Sequence, residues 1–362
     1  MLWILPVLLI PPSLLLAFAG ATAAVTIGFF RRKTPRDDNV DVVLQSFPNL
    51  TYEKVQFASN KGQILKGYIY QKNDDGPKKG IIVVSHGIGG THIENINQIN
   101  YFAERGFYVF GFDNTGSGES EGNSMVDLPQ APIDLDFALN FIEGRSEFSD
   151  LPVLLFGHSW GGFAVCTMLS TPHKIAGVVS CSGFDSPYEL ERRTAMDSFG
   201  IWTRAIVFTT NLFSRMRFGS LANRTAIEGI KKTTMPVLIV HSRDDDVVAF
   251  KCSILDACKH LDKPNVTLKL FENKGHYVFS SDNAVRYRKQ VDNQLKKLYF
   301  GVEKVFGKVT ARREAGINWK LLREIDQDEM SQIDDFFNKA VELQFSLLHR
   351  HALQAQPVRC SL

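Results

Sequence analysis

The sequence predicts an α/β protein with a mostly parallel central sheet, helices on both faces, a small helical cap and an N-terminal transmembrane helix. Short continuous apolar runs recur along the chain and are typical of strands buried on both faces. Stretches with helical spacing separate these runs, and strands that alternate with helices predict a parallel sheet. The first 30 residues contain no charged side chain. The apolar runs are at 81–84, 107–112, 153–156, 176–179, 237–240 and 266–270.

The N-terminal segment, residues 1–30, predicts an uncleaved single-pass membrane anchor. An uncharged run of this length can cross a bilayer core of ~30 Å as a helix. A secretory signal peptide with its small residues at 21–24 is the alternative, but the basic residues at 31–33 follow the apolar run instead of preceding it. The positive-inside rule then places the following domain on the cytoplasmic side of the membrane.

The domain organisation follows from the same patterns. Residues after the anchor are typical of a polar linker, and two alternating segments, 54–58 and 64–71, predict an antiparallel hairpin that opens the sheet. Helices are expected around 135–142 and 291–298. We therefore divide the chain into an anchor (1–30), a linker (31–50), an α/β domain (51–299) with a cap at about 184–234, and a C-terminal helical extension (300–362).

The composition argues against several classes of function. Lys and Arg total 41 and Asp and Glu 39, so the net charge of +2 gives no electrostatic reason to expect a nucleic acid partner. The five cysteines show no CxxC pair or zinc-ligand spacing, and such an odd, scattered set favours thiols in a reducing compartment. No phosphate-binding G-x-x-x-x-G-K-[ST] motif is present. We expect neither a metal nor a cofactor.

The segment 153–162 contains the most informative motif. An apolar strand runs into G-H-S-W-G at 157–161, and a helix-like stretch begins at Phe163. A serine on a sharp turn between strand and helix is lifted clear of the sheet, and the glycines on either side avoid collisions with neighbouring backbone. This setting predicts that Ser159 is a nucleophile.

A nucleophilic serine needs a base, and the base needs an acid that orients it. The strand at 237–240 runs into three consecutive aspartates, Asp244, Asp245 and Asp246, and any of them could supply the acid. The strand at 266–270 is followed by His276 in a loop, directly after a glycine. His276 is therefore the expected base.

These motifs resemble those of the α/β-hydrolase superfamily, in particular its serine aminopeptidase, monoacylglycerol lipase and esterase-like branch. The resemblance covers roughly residues 52–298. It rests on S-H-G-I-G-G at 85–90, the Gly-rich loop at 113–122, the G-x-S-x-G turn, the aspartate loop at 244–248 and the Gly-His pair at 275–276, which occur in the order found in that family.

The resemblance implies a role for each site residue. Ser159 is the nucleophile, His276 the general base and Asp245 the acid, because the family pattern strand–G-x-x-D-x-V-V aligns with Asp245. Two positions depart from that pattern, since Ser242 and Ala249 replace the usual glycine and proline. The three consecutive aspartates leave Asp244 and Asp246 open as alternatives. The backbone N–H groups of Ile88 and Trp160 are the expected oxyanion hole.

Other polar residues near these motifs have structural interpretations. We expect His86 and His158 to shape their loops and Asp113 to brace the Gly-rich loop. His241 and Asp246 form an H-x-x-x-x-D pattern that occurs in acyltransferases, but it falls within the aspartate loop, and we interpret it as coincidence.

The cap and the extension carry apolar residues at helical spacing. In the cap, this spacing favours a lid that buries an acyl chain. The alternative is that the apolar residues of the cap simply pack on the core. In the extension one helical face is expected to dock on the α/β domain; its members are Met330, Ile333, Phe337, Val341 and Leu348.

The predicted function is hydrolysis of a carboxylic ester or thioester through an acyl-serine intermediate, on an acyl or lipid-like small molecule. Amide or peptide cleavage is a variant of the same mechanism. A non-catalytic binding protein is the alternative class, because fold alone does not determine function. A missing triad member would indicate that class, and none is missing. Besides the substrate, the expected partner is a membrane, through residues 1–30, and the sequence does not identify whether the chain has a protein partner.

Overall fold

The fold is organised around one eight-stranded sheet. The computed structural model describes residues 43–74, 76–199, 203–298 and 317–354, together with Gly20 and Thr34. The strands are β1 (Leu50–Ala58), β2 (Ile64–Lys72), β3 (Ile81–Ser85), β4 (Tyr108–Phe112), β5 (Val153–His158), β6 (Ile175–Cys181), β7 (Val237–Ser242) and β8 (Val266–Phe271). Their spatial order is β1-β2-β4-β3-β5-β6-β7-β8.

Strand pairing confirms the predicted hairpin and the mostly parallel sheet. β1 and β2 are antiparallel along their whole length, β2 pairs antiparallel with β4, and the remaining neighbours are parallel. Every residue of β3, β5, β6 and β7 is buried, because helices cover both faces of these central strands. The edge strand β8 is only partly buried.

Ten α-helices lie in the described ranges. They are α1 (Ile96–Glu104), α2 (Gln130–Glu143), α3 (Trp160–Met168), α4 (Pro187–Phe199), α5 (Thr203–Phe218), α6 (Ala226–Lys232), α7 (Ile254–Cys258), α8 (Asp282–Leu298), α9 (Trp319–Leu322) and α10 (Gln327–Gln354). The helices expected around 135–142 and 291–298 correspond to α2 and α8. α4 and α5 lie between β6 and β7, inside the region assigned to the cap, although the exact domain boundaries remain predictions.

The core consists of two apolar layers, one on each face of the sheet. On one face α2 and α3 contribute Leu135 and Phe163. On the other face α1 and α10 contribute Phe102 and Phe337, whose ring centroids lie 5.5 Å apart in an edge-to-face arrangement. Each such fully buried side chain contributes roughly 1.5–3 kcal/mol through removal of apolar surface from water.

The extension docks on the α/β domain, as expected, and it completes the second layer. Met330, Ile333, Phe337 and Val341 are buried against the sheet and α1. Leu348, the fifth residue assigned to this face, is 52% exposed, so that part of the prediction is wrong. The buried face of α10 ends near Val341 because the remainder of this 28-residue helix extends past the strands that it covers.

The predicted membrane anchor, residues 1–30, lies outside the described residues apart from Gly20. Within the parts of the chain that the structure does describe, no helix is both long and apolar enough to cross a bilayer. Thr34 is placed beside the loop that follows β4: its N–H donates to the Gly116 carbonyl at 2.9 Å, and its carbonyl accepts from Gly118 at 3.1 Å.

Candidate active site

Ser159 occupies the turn between β5 and α3. Its backbone has φ 56° and ψ −114°, a conformation that L-residues with a side chain rarely adopt. A Cβ on Gly157 would overlap the Gly161 carbonyl, and one on Gly161 would overlap the Ser85 carbonyl. Only glycine therefore allows the close approach of β3, β5 and α3 that holds Ser159 in this strained state. Such strain costs about 1–3 kcal/mol and is typical of functional sites.

The turn is held by backbone hydrogen bonds on both sides of Ser159. The Ser159 N–H donates to the Cys181 carbonyl at the end of β6 (2.9 Å), and the Ser159 carbonyl accepts from Phe163 in α3 (3.1 Å). Ser159 thus stands at the N-terminus of α3, where the helix dipole favours developing negative charge.

Asp245 and His276 form a buried pair. Nδ1 of His276 lies 2.8 Å from Oδ2 and 3.0 Å from Oδ1 of Asp245. The N–H groups of Val247 and Val248 also donate to Oδ1, each at 2.9 Å. Burial acts to raise the pKa of Asp245, but the hydrogen bond and charge of His276 outweigh it and hold this pKa below its ordinary value. Asp245 is therefore a carboxylate that binds Nδ1 and leaves Nε2 as the ring nitrogen of His276 that does not contact it.

The other two aspartates do not contact the imidazole. Both are exposed, and Oδ1 of Asp244 accepts from the Gly275 N–H (2.8 Å) and the Ser242 hydroxyl (2.6 Å). Asp244 thus holds the backbone of the histidine loop, whereas Asp245 holds the ring. Of the three candidates that the sequence left open, the structure brings only Asp245 to His276.

His158 connects the Ser159 turn to the histidine loop. Its Nε2 lies 2.9 Å from the His276 carbonyl oxygen, and the two ring centroids are 4.8 Å apart. Burial, together with the nearby His276, lowers the pKa of His158 to about 3, so the ring is neutral and donates through Nε2. Ser159 and His276 share no direct hydrogen bond in the described part of the chain, and such bonds often tighten only when substrate is bound.

Ile88 lies in the loop that follows β3, and Trp160 is the first residue of α3, directly after Ser159. Neither backbone N–H has an acceptor among the described residues, so both remain available to a ligand. His86 holds the loop that follows β3: its Nδ1 donates to the Gly87 carbonyl (2.8 Å), and its Nε2 accepts from the Asn114 N–H (3.0 Å). Burial lowers the pKa of His86, which keeps the ring neutral for this double role. The expectation that His86 shapes its loop agrees with these contacts.

Asp113 braces the Gly-rich loop through a buried network. Its Oδ1 accepts from the backbone N–H and the Nδ1 of His92 (2.9 and 2.8 Å), and Nε2 of His92 contacts the Tyr70 hydroxyl (2.9 Å). A side chain at Gly118 would overlap the Asp113 carboxylate, so the loop can close around it only with glycine there. Sequence reasoning missed His92, which no motif singles out.

His241 lies behind Asp245. Its Nε2 donates to the Val248 carbonyl (3.1 Å) and is 3.7 Å from Oδ2 of Asp245. Asp246 points into solvent, so the H-x-x-x-x-D pattern does not form a unit, as expected. In the described ranges no cluster of three His, Cys, Asp or Glu side chains could hold a metal ion.

Two family models match the chain. The serine aminopeptidase family, S33, matches residues 76–190, and the prolyl oligopeptidase family matches residues 137–300. Between them the two ranges contain Ile88, Ser159, Asp245 and His276.

Solved structures show the same fold. An esterase of Pyrococcus furiosus covers 70% of this chain and 93% of its own, with a TM-score of 0.51 and 15% identity. An acylaminoacyl peptidase of Pyrococcus horikoshii covers 75% of this chain and 46% of its own, with a TM-score of 0.51 and 17% identity. The chain belongs to the α/β-hydrolase superfamily. Its matches to the two family models place it among the serine hydrolases of that superfamily.

Curated relatives of this α/β-hydrolase differ in how much of the chain they match. The uncharacterized protein YqkD of Bacillus subtilis is 24% identical over 308 residues, which is 78% of this chain and 97% of the relative. The human monoglyceride lipase is 33% identical over 109 residues, which is 30% of this chain and 36% of the lipase. The lipase match is therefore local, whereas the match to YqkD extends over nearly the whole relative.

Proposed function

We propose that this α/β-hydrolase cleaves a carboxylic ester or thioester of an acyl or lipid-like substrate through an acyl-serine intermediate. The observation that carries the proposal is the strained Ser159 at the N-terminus of α3, joined through His158 to the buried Asp245–His276 pair. Strained backbone conformations of this kind cluster at functional sites.

The proposed mechanism assigns one task to each group. Nε2 of His276 takes the Ser159 hydroxyl proton while Oγ attacks the carbonyl carbon, and Asp245 stabilises the imidazolium that forms. The N–H groups of Ile88 and Trp160 bind the oxyanion, and removal of one such donor typically costs on the order of 10²–10³-fold in kcat. His276 then protonates the leaving alcohol or thiol, and a water activated by the same imidazole releases the acyl group.

The apolar surface of α5 supports an acyl or lipid-like substrate. Val207 and Phe218 are buried and seat the helix, whereas Phe208, Leu212 and Met216 are exposed at spacings of four residues. These three side chains therefore form one apolar stripe on the cap. The alternative prediction, that the apolar cap residues simply pack on the core, accounts for Val207 and Phe218 but not for the stripe.

The membrane anchor and the cytoplasmic orientation remain part of this proposal. Thr34, directly after the basic residues at 31–33, is hydrogen-bonded to the loop that follows β4. That loop lies at the carboxyl edge of the parallel strands, as does Ser159 at the end of β5. An anchor formed by residues 1–30 would therefore hold the catalytic edge close to the membrane surface, where lipid substrates are found. Sedimentation of the full chain with membranes after an alkaline carbonate wash tests the anchor.

A peptidase or amidase is the second candidate. Both family models carry peptidase descriptions, and the same triad can protonate a leaving amine. An ester and an amide of the same acyl group distinguish the two activities, because they differ only in the leaving group.

The activity test is labelling of the full chain by a fluorophosphonate, followed by hydrolysis of acetyl and dodecanoyl esters and of the matching amide. We expect Ser159→Ala to abolish labelling and Ser170→Ala, the same change just beyond α3, to preserve it. Faster turnover of the dodecanoyl ester would support the acyl proposal, and faster turnover of the amide would favour the peptidase. A folded protein that neither labels nor hydrolyses any of these compounds would be a binding protein.

A further inference from the structure

The C-terminal segment 317–354 is bonded directly to the loop that carries His276. The Asp326 N–H donates to the Phe279 carbonyl at 2.9 Å, and the Ser281 N–H donates to the Glu324 carbonyl at 3.0 Å. Between these bonds, Ser280 and Ile325 form an antiparallel bridge. A segment that begins more than 40 residues after the histidine thus makes a short two-stranded pairing with its loop.

Lys274 adds a side-chain link two residues before the histidine. Its Nζ lies 2.7 Å from Oδ2 of Asp326 and 2.8 Å from Oδ1 of Asp282, and it donates to the Ser280 carbonyl at 3.2 Å. The Asp282 side chain is 74% exposed and that of Asp326 only 25%. Because exposed ion pairs contribute little, Asp326 is the partner that orders Lys274.

Asp326 is itself held in place by α10. While its Oδ2 binds Lys274, its Oδ1 accepts from the N–H groups of Asp328 and Glu329, both at 3.1 Å, in the first turn of the helix. The lysine charge and these N–H groups hold the pKa of Asp326 below its ordinary value against the effect of burial. α10 is in turn fixed by Met330, Ile333 and Phe337 in the core.

The opposite side of the histidine loop is fixed by the aspartate loop. The Lys274 N–H donates to the Ser242 hydroxyl at 2.9 Å, and the Gly275 N–H donates to Asp244 at 2.8 Å. Ser242 is one of the two departures from the family pattern, and a glycine there could not accept this bond. The aspartate loop thus holds the backbone before His276, and the C-terminal segment holds the Lys274 side chain.

We propose that the C-terminal segment positions the catalytic histidine, with Lys274 as the positioning residue and Asp326 as its anchor. The proposal rests on the proposed function, because the position of this loop affects the reaction only if His276 is the general base. Removal of the Lys274–Asp326 pair leaves the core face of α10 in place but removes the side-chain link that fixes the loop from this side. Displacements of about 1 Å at a reacting group can cost on the order of 10²-fold in rate.

The test compares Asp326→Asn and Lys274→Met with Asp328→Asn, the same chemical change at an exposed residue two positions away. We expect roughly tenfold lower kcat and fluorophosphonate labelling rate in the first two variants, with KM within about twofold of wild type. Asp328→Asn should match wild type, and Lys274→Arg should recover part of the rate. The double variant Lys274→Met/Asp326→Asn should be no slower than the slower single variant, because both changes remove the same Lys274–Asp326 interaction.

Labelling rates are expressed per folded molecule, with the folded fraction measured by circular dichroism. If Asp326→Asn only lowers Tm and labels at the wild-type rate, the segment has a structural role alone and the inference fails. If Ser159→Ala still labels, the proposed function fails first. The two failures are therefore distinguishable.

Discussion

Nε2 of His158 lies 2.9 Å from the carbonyl oxygen of His276, and this contact joins the Ser159 turn to the histidine loop. The two residues are 118 positions apart in the chain. The relative placement of Ser159 and His276 therefore depends on a buried, neutral imidazole that takes no part in the proposed chemistry.

Replacement of His158 should slow the reaction and destabilise the protein. In His158→Phe the buried carbonyl of His276 loses its donor, which costs about 1–3 kcal/mol of folding free energy. We expect kcat to fall roughly tenfold because the histidine loop loses its link to the Ser159 turn. Steady-state kinetics and urea unfolding measure the two effects. Wild-type kcat in a folded His158→Phe protein would show that the contact does not position the loop.

Asparagine substitutions at the three aspartates should lower kcat to clearly different extents. Asp245→Asn should lower kcat by about 10³–10⁴-fold, since the imidazole loses the carboxylate that sets its tautomer. Asp246→Asn, at an exposed position, should keep wild-type kcat. Asp244→Asn should cost less than about tenfold because Asp244 contacts the Ser242 hydroxyl, the Gly275 N–H and Lys289 but not the imidazole. Fluorophosphonate labelling rates rank the three. A larger loss for Asp244→Asn than for Asp245→Asn would reverse the assignment.

The glycines that flank Ser159 should tolerate no side chain. Gly157→Ala and Gly161→Ala place a Cβ inside the volume of backbone carbonyls that cannot move independently, so each should destabilise the fold by more than about 3 kcal/mol or prevent folding. Gly76→Ala meets only an ordinary contact at 3.4 Å and is the matched control. Thermal unfolding compares them. Near-wild-type Tm for Gly161→Ala would contradict the close approach of β3 and α3.

Acid should destabilise the protein in part through His158. Its pKa is lowered from an ordinary value near 6.5 to about 3, so between these values the unfolded chain binds a proton that the folded state does not. Folding stability therefore falls as the pH decreases through this window, by at most about 1.4 kcal/mol per pH unit from this group. Urea unfolding of His158→Phe at pH 7, 6 and 5 should show a shallower pH slope than wild type. Equal slopes would mean that His158 is not buried and neutral.

Local sequence features predicted most of the fold and the strand–turn–helix setting of Ser159. The apolar runs that became β3 to β8 need only their own residues to indicate buried strands, and the hairpin β1–β2 follows from alternation. The Ser159 turn is equally local, because the two glycines required by its geometry lie within two positions of the serine.

The identity of the acid could not be decided in the same way. Asp244, Asp245 and Asp246 are consecutive, so their neighbours in sequence are almost the same. Whether a carboxylate reaches the ring or the backbone of the histidine loop depends on how the loops after β7 and β8 fold against each other. Only Asp245 points inward between them.

By itself the sequence determined the strands, the helices α2, α3 and α8, the Ser159 turn and most of the apolar face of α10, since each is a pattern among residues close together in the chain. Only the tertiary structure decided which side chains meet: His158 with the His276 carbonyl, Asp244 with Gly275, and Lys274 with Asp326. It also decided where the buried face of α10 ends, which is before Leu348. The apolar spacing in the sequence continues beyond the last strand that the helix covers, so the sequence alone did not show this end. The physical reason is that a backbone conformation is encoded by neighbouring residues, whereas a contact between distant residues depends on the packing of every element between them.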